Sequence, residues 1–484
     1  MAKLYNLARM TTSTTGTGAI TLGVPVAGYL TFAQAGVANG DVVAYGIKDG
    51  NNSEIGTGTY SPGGPTLTRT VSRSTNANAA LNLSGTAEVF ITARAEDILS
   101  FDAAMSLTSA QQAQGRSNIC AAPFDALASK GLQTNGGCEV SQQYGQNPVA
   151  AVNSYLLDGW LVNTSGFVVS GQQVSDAPPG YNNSLKISVT TAVPSIGSSE
   201  FIVISHYIEG YDSVQLAFGS GNAQPISFGF WVKAHRPGTY SGGVRNGSFN
   251  RSYSFTFTIN AADTWEFKTV TVFGDTSGTW FGDNRIGLAV TFVPACFSGS
   301  LTTPGAWMNG NFVGATGSIN GGAATTDTFQ ITGLIILPGL ELPMVGSSPS
   351  IMRPFDQELF RSQRFYSKGF PVGTPPFNGG GASRISALAW ATTAITSQMI
   401  RFPRNMRVSP TMTFFCPAFQ GGTNDTPVNG FWQWLPNGSA WRNTAVITAQ
   451  DVYEDSFNVN MGVSGATVGG ASLVLGNWTA NARL

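Results

Sequence analysis

Charge is scarce in this 484-residue chain: Asp, Glu, Lys and Arg make up 11% of it, against ~25% in an average soluble domain. With a net charge of −1, no basic field exists to track a phosphate backbone, so nucleic acid is excluded as a partner. There are four cysteines (Cys120, Cys138, Cys296, Cys416), without C-x-x-C spacing, and two histidines, His206 and His235. A zinc site needs clustered ligands, so no metal or other cofactor is expected, and the thiols are expected to be free and buried. No run approaches the ~20 apolar residues of a membrane helix; the most apolar, Thr332 to Pro338, is short, stopped by proline, and suits a buried strand. Residues 1–9 contain no apolar signal-peptide core, so no secretory signal is expected. Catalytic signatures are missing too. There is no G-x-S-x-G elbow and no H-E-x-x-H pair, and Gly16-Thr17-Gly18 precedes a strand where a phosphate loop needs a helix. The chain is therefore not expected to be an enzyme.

What is abundant is glycine, at 59 residues, with Thr, Ser, Asn and 11% aromatics. Thr and aromatics suit pleated surfaces, and Gly and Asn supply positive φ in turns. The expected class is mainly β: several β-sandwich or jelly-roll domains joined by a short α-helical connector. Residues 1–95 read as a β unit, with strands at 18–22, 42–47 and 88–93 and a tight hairpin signal at Asp49-Gly50. Residues 96–148 change texture to Ala, Gln and Leu. Ile98, Phe101 and Met105 fall on one helical face, and Thr108 with Gln111 forms a capping-box pattern. So narrow a stripe on a short helix is marginal alone, which makes these three residues candidates for an oligomer interface. Residues 149–348 alternate again, at 185–189, 201–204, 227–232, 253–258, 267–272, 288–292 and 329–334, and predict a sandwich. Residues 349–484 open with a helix over 354–368, with Asp356 and Glu358 early, Arg361, Arg364 and Lys368 late, and Phe355, Leu359 and Phe360 as its apolar side. Strands at 411–415 and 471–475 follow.

Three stretches resemble fibre and tail proteins of tailed bacteriophages, including prophage versions in α-proteobacteria. The first is Thr11-Thr12-Ser13-Thr14-Thr15-Gly16-Thr17-Gly18-Ala19-Ile20-Thr21-Leu22, continued by Asn39-Gly40-Asp41, Gly56-Thr57-Gly58-Thr59-Tyr60 and Leu67-Thr68-Arg69-Thr70. It is similar to an N-terminal module that attaches such appendages to the particle. The second, Leu107-Thr108-Ser109-Ala110-Gln111-Gln112-Ala113-Gln114-Gly115-Arg116-Ser117-Asn118-Ile119-Cys120-Ala121-Ala122, resembles a fibre connector; Gly115 and Cys120 replace its usual Ala and Gly. The third joins Met352-Arg353-Pro354-Phe355-Asp356-Gln357-Glu358-Leu359, Gln363-Arg364-Phe365-Tyr366 and residues Phe402 to Thr411. It is similar to a C-terminal tail-protein domain that follows a carbohydrate-binding-like jelly roll. The resemblance implies a structural virion protein, assembled in the host cytoplasm and released by lysis. It implies a homotrimer, docked on tail, baseplate or neck proteins through residues 1–95 and contacting host cell-surface polysaccharide through its distal β domains. It carries no catalytic residue across. Two alternatives stay open: a virion-associated glycan depolymerase, and a head fibre or decoration protein with no receptor role. A secreted cellular lectin is disfavoured by the missing signal.

The candidate glycan contact is the aromatic stretch 431–442, with Trp432, Trp434, Asn437, Trp441 and Arg442 as stacking and hydrogen-bonding groups. Trp432 and Trp434 alternate as strand residues do, so a core or subunit interface is the competing reading. Asp275 and Asp283 around Trp280, and Asp451, Glu454 and Asp455 near Tyr453, are carboxylate pairs beside aromatics such as glycan hydrolysis uses, or ordinary solvated turns. The run Asp49 to Glu54 places oxygen ligands as a calcium loop does but lacks its glycine and terminal glutamate geometry, leaving a hairpin turn.

Overall fold

The computed structural model describes residues 2–97, 115, 131–150, 153–340, 342–343, 345–418, 431–436, 440–444 and 447–484. Ile98, Phe101, Met105 and Cys120 lie outside these residues. The chain divides into two compact units, Met1–Ala121 and Ala122–Leu484, both mainly β.

In the first unit, β1 (Arg9–Thr12), β2 (Val42–Asp49), β3 (Asn52–Ser61) and β5 (Ala87–Ile91) form an antiparallel sheet in the order β1-β5-β2-β3, and β4 (Thr70–Ser74) adds to β3. The hairpin turn is Gly50-Asn51, one residue later than the sequence signal, with Gly50 at φ +57° and Asp49 paired to Asn52. Asp49 is drawn inward because its carboxylate accepts from Ser84 N at 2.7 Å. Glu54 also turns inward, onto Arg69, and so is no metal ligand. The Gly-Thr-Gly-Thr run of β3 has a steric cause: a Cβ at Gly56 would strike the Thr70 carbonyl, and one at Gly58 the Thr68 carbonyl. Ile20, Phe32, Tyr45, Ile47, Leu67 and Val89 fill the core.

The second unit is built on a two-sheet sandwich. Its strands are β6 (Val149–Ala150), β7 (Ser154–Leu157), β8 (Trp160–Ser165), β9 (Val168–Val174), β10 (Ser184–Thr191), β11 (Phe201–Glu209), β12 (Ile226–Ala234), β13 (Gly238–Asn246), β14 (Arg251–Ile259), β15 (Glu266–Val272), β16 (Ile286–Cys296), β17 (Trp307–Asn309) and β18 (Thr328–Pro338). One sheet runs β6-β9-β10-β18-β12-β15 and the other β7-β8-β11-β16-β13-β14-β17, every pairing antiparallel. Alternate residues of both sheets, among them Trp160, Ile204, Phe228, Phe230, Phe255 and Phe292, interdigitate as the core. Residues 131–148, read from sequence as part of the helical connector, form no helix. They lie on the sandwich, where Leu132 N donates to Ile336 O and Leu334 N to Gly136 O, both at 3.0 Å. Cys138, Cys296 and Cys416 are all buried, and burial pushes the Cys138 thiol up to about 12.

Between residues 131 and 484 the described α-helices are the single turn α1 (Gly210–Ser213) and α2 (Phe355–Ser362), which opens the C-terminal part. It ends well before Lys368, because Tyr366–Lys368 is a strand, β19. Its inward face is polar. Glu358 accepts from Asn135 N at 2.5 Å and Arg353 Nη1 at 2.8 Å, whereas Phe355 and Phe360 are about half exposed (48% and 51%). Beyond the helix, Arg364 grips Glu209 through two 2.6 Å hydrogen bonds, which ties this domain to the sandwich. β20 (Ser383–Ala391), β21 (Ala394–Ser397), β22 (Thr411–Phe415), β23 (Gln433–Pro436), β24 (Ser456–Gly462) and β25 (Ala471–Asn481) join β19 in a ten-stranded sheet with three further short strands, and β25 pairs β19, β20, β22 and β23.

Candidate functional site

Of the five residues proposed from sequence for glycan contact, two are core. Trp432 and Trp434 are 0% and 1% exposed, so neither presents a face to a ligand. Trp432 fits because Gly476 leaves room for its ring, and Phe414 meets it edge-on at 5.5 Å. Trp441 is half-buried with the Arg384 guanidinium 5.9 Å from its ring centre, and Arg442 is exposed. Asn437 lies outside the described residues. The stretch thus splits between core and surface.

A different cleft is built at one end of the sandwich. Phe218 follows a left-handed Ala217 (φ +52°) after the turn at 214–216; Trp280 lies on the β15–β16 loop, Trp307 on β17 and Tyr253 on β14. Phe218 and Trp280 are 4.8 Å apart between ring centres at 88°, Trp280 and Trp307 5.4 Å at 88°, and Phe218 and Trp307 5.9 Å at 81°. Three mutually near-perpendicular rings make a corner in which no ring is stacked flat on another. Both indole N–H groups are anchored locally, Trp280 to Ser277 O at 3.1 Å and Trp307 to Phe273 O at 2.8 Å. The ring orientations are therefore set by the fold. Phe218 and Trp280 open onto a cleft of about 250 Å³, whose remaining wall includes Ser213, Val214, Ser220 and Phe281. Tyr211, Val214 and Phe273 nearby are 60%, 59% and 67% exposed.

No known family model and no curated protein matches this chain. Among solved structures, the chain is similar to the enzymatically active domain of tailspike protein 4 from bacteriophage CBA120, at 15% identity and a TM-score of 0.24, over 44% of this chain and 22% of that one. It is similar as well to the family 11 carbohydrate-binding module of Clostridium thermocellum, at 12% identity and 0.22, over 41% of this chain and 98% of the module. A third is TmCBM61 in complex with β-1,4-galactotriose, at 12% and 0.22, over 43% and 98%. The chain thus spans about a fifth of the tailspike domain's length and nearly all of each module.

The carboxylates beside the aromatic corner are committed elsewhere. Asp275, 2% exposed, accepts from Arg251 Nε and Nη2, both at 2.7 Å, and from Ser277 N at 3.1 Å. Asp283 accepts from Arg285 Nε at 3.0 Å and Nη2 at 2.7 Å, and those hydrogen bonds hold it at about 2. A general acid for glycoside cleavage needs the opposite, a carboxyl that keeps its proton near neutral pH. The group near Tyr453 is similar: Asp455 is lowered by hydrogen bonds from Ser456 and pairs with Arg401 at 2.9 Å. His206, its ring tilted at 57° to that of Trp160 with 4.9 Å between centres, is wholly buried and accepts from Thr134 N at 3.2 Å through Nε2; burial lowers it to about 3. It is a neutral core residue. Among the described residues, no three or more His, Cys, Asp or Glu side chains are grouped to hold a metal.

Sequence reading had flagged Trp280 only for its flanking carboxylates. Phe218 and Trp307 carried no local signal, since three rings so far apart in the chain meet only once β14, β16 and β17 share a sheet.

Proposed function

We propose that this chain is a non-enzymatic, glycan-contacting appendage protein of a tailed bacteriophage, and that the sandwich supplies the contact. The carrying observation is the aromatic corner of Phe218, Trp280 and Trp307 opening on a cleft whose neighbouring carboxylates are held in ion pairs. Sugar rings have one apolar face that packs against an indole, and the exposed Ser220 adds a polar side chain to the lining. With net charge near zero, long-range steering is weak and selection falls to contact. The virion setting rests on the three sequence resemblances, as do docking through residues 1–95 and assembly as a homotrimer, which would add avidity to weak single sites. Immunogold labelling of particles and light scattering of the full chain test these.

The decisive experiment incubates purified protein with host-surface polysaccharide. Retention without release of oligosaccharides is expected, and Trp280→Ala should weaken retention at least about ten-fold, as loss of a central aromatic anchor does. Trp280→Phe, which keeps a ring, should retain part of it. Release of oligosaccharides would favour the depolymerase, and undiminished binding by folded Trp280→Ala would remove the cleft from the reading.

A further inference from the structure

Three arginines converge on α2, in a cleft that shares no lining residue with the aromatic one. Arg353, Arg361 and Arg404 line a cleft of about 520 Å³ together with Asp356, Gln357 and Phe360, so its charged lining is three guanidinium groups to one carboxylate. Two of the three are committed to the fold. Arg353 Nη1 donates to Glu358 Oε1 and Gln133 O, both at 2.8 Å, and Arg361 Nε donates to Thr134 Oγ1 at 3.0 Å while Nη2 pairs with Asp212. Arg404 differs. Its guanidinium lies 5.0 Å from the centre of the Phe360 ring and donates one long hydrogen bond, 3.4 Å, to Phe360 O, and it makes no ion pair with a carboxylate among the described residues. Burial is the main cause that lowers Arg361, with Asp212 and Glu358 offsetting it and Arg353 and Arg404 adding to it. Burial likewise lowers Arg404, with Arg364 adding to it and the more distant charges of Asp212 and Glu209 offsetting it in part.

We propose that this cleft is a binding site for a carboxylate-bearing sugar, a uronate. A planar carboxylate matches the two-pronged donor face of a guanidinium, and Arg404 is the lining arginine whose fork is not already engaged by an ion pair among the described residues. The half-exposed Phe360 beside Arg404 supplies an apolar face for the ring that carries the carboxylate. The volume lies in the range of small-molecule sites. The choice of a sugar as carrier rests on the glycan reading above, whereas the anion preference rests on this cleft alone.

The test is calorimetry of the full chain with trigalacturonate, its carboxyl-reduced neutral counterpart and inorganic phosphate. Trigalacturonate is expected to bind, more weakly at high salt, and the neutral trisaccharide is expected not to occupy this site. Arg404→Gln should weaken trigalacturonate binding about ten-fold or more with an unchanged melting temperature, and Trp280→Ala should not. Arg404→Lys keeps the charge but loses the fork and should fall between; it decides the matter should Arg404→Gln fail to fold. Absence of trigalacturonate binding, equal binding of the reduced trisaccharide at this site, or an Arg404→Gln affinity equal to the parent's would overturn the proposal. So would phosphate binding that displaces trigalacturonate at equal concentration, since that marks a site for bare anions. Loss of trigalacturonate binding in Trp280→Ala alone would sink this site and leave the aromatic cleft standing. Loss in Arg404→Gln alone, with no polysaccharide retention in the parent, would do the reverse.

Discussion

Arg69→Met should unfold the N-terminal unit far more readily than the loss of one surface ion pair would suggest. The side chains of Arg69 and Glu54 are 2% and 0% exposed, and the carboxylate is enclosed by donors: Arg69 Nε at 3.0 Å, Arg69 Nη2, Leu81 N at 2.8 Å and Tyr45 Oη at 2.7 Å. Removing the arginine leaves a buried carboxylate without its counter-charge, which costs about 3–5 kcal/mol. In a domain of this size ~1 kcal/mol shifts the melting temperature by about 4–8 °C, so calorimetry of the full chain should show this unit's transition falling by roughly 12 °C or more. Glu54→Gln added to Arg69→Met removes the stranded charge while its amide still serves Leu81 N and Tyr45 Oη. The double variant should therefore be more stable than Arg69→Met alone. The pH dependence gives a second signature. Burial would raise Glu54, but the hydrogen bonds from Arg69, Leu81 N and Tyr45 outweigh it and leave its pKa lowered. In the parent, the stability from Glu54 is present above its unfolded value of 4.5 and is lost as pH falls through the folded one. In Arg69→Met burial dominates and the sign inverts, so that variant should gain stability as pH falls from 7 towards 5. Additive costs in the double variant, or an Arg69→Met cost below about 1 kcal/mol, would refute the reasoning.

Trp434→Ala should destabilise the C-terminal domain by about 3–5 kcal/mol in urea titration, whereas Trp441→Ala should leave the midpoint nearly unchanged. His206 is held at about 3 in the fold against 6.5 when unfolded, so stability is full above pH 6.5 and declines below it by about 1.4 kcal/mol per pH unit. His206→Gln, which keeps an acceptor for Thr134 N, should flatten that slope between pH 6.5 and 4.5; an unchanged slope would count against it.

The strands of the sandwich were legible wherever Val, Ile and Phe alternate, as in β12, β14, β16 and β18. β13 was not, because Gly242 and Gly243 carry no strand signal. They are required by packing: a Cβ on Gly242 would strike the Phe255 ring, and one on Gly243 the Val313 carbonyl. The length of α2 was overestimated for a related reason. Its charge pattern suits a longer helix, but Arg364 is taken by Glu209 on the sandwich, and backbone pairing with β25 takes Tyr366 to Lys368. In the aromatic stretch 431–442 the alternation of Trp432 and Trp434 left core packing and ligand contact both open, and only contact with Phe414 and Gly476 decides that Trp432 faces inward. The aromatic corner was out of reach of any local pattern, since its geometry is a property of strand order.

The position of β25 sets a timetable for making the protein. Its partners β19, β20, β22 and β23 all precede it in the chain, and each pairs with β25. At ribosomal speeds of ~5–20 residues per second, β19 emerges on the order of ten seconds before β25 exists. Through that interval the sheet has no centre, while the sandwich strands have already been made. A nascent chain stalled before residue 471 would expose the apolar edges of this half-built sheet to chaperones and proteases. Messages cut short there should therefore give products that are cleared and do not accumulate.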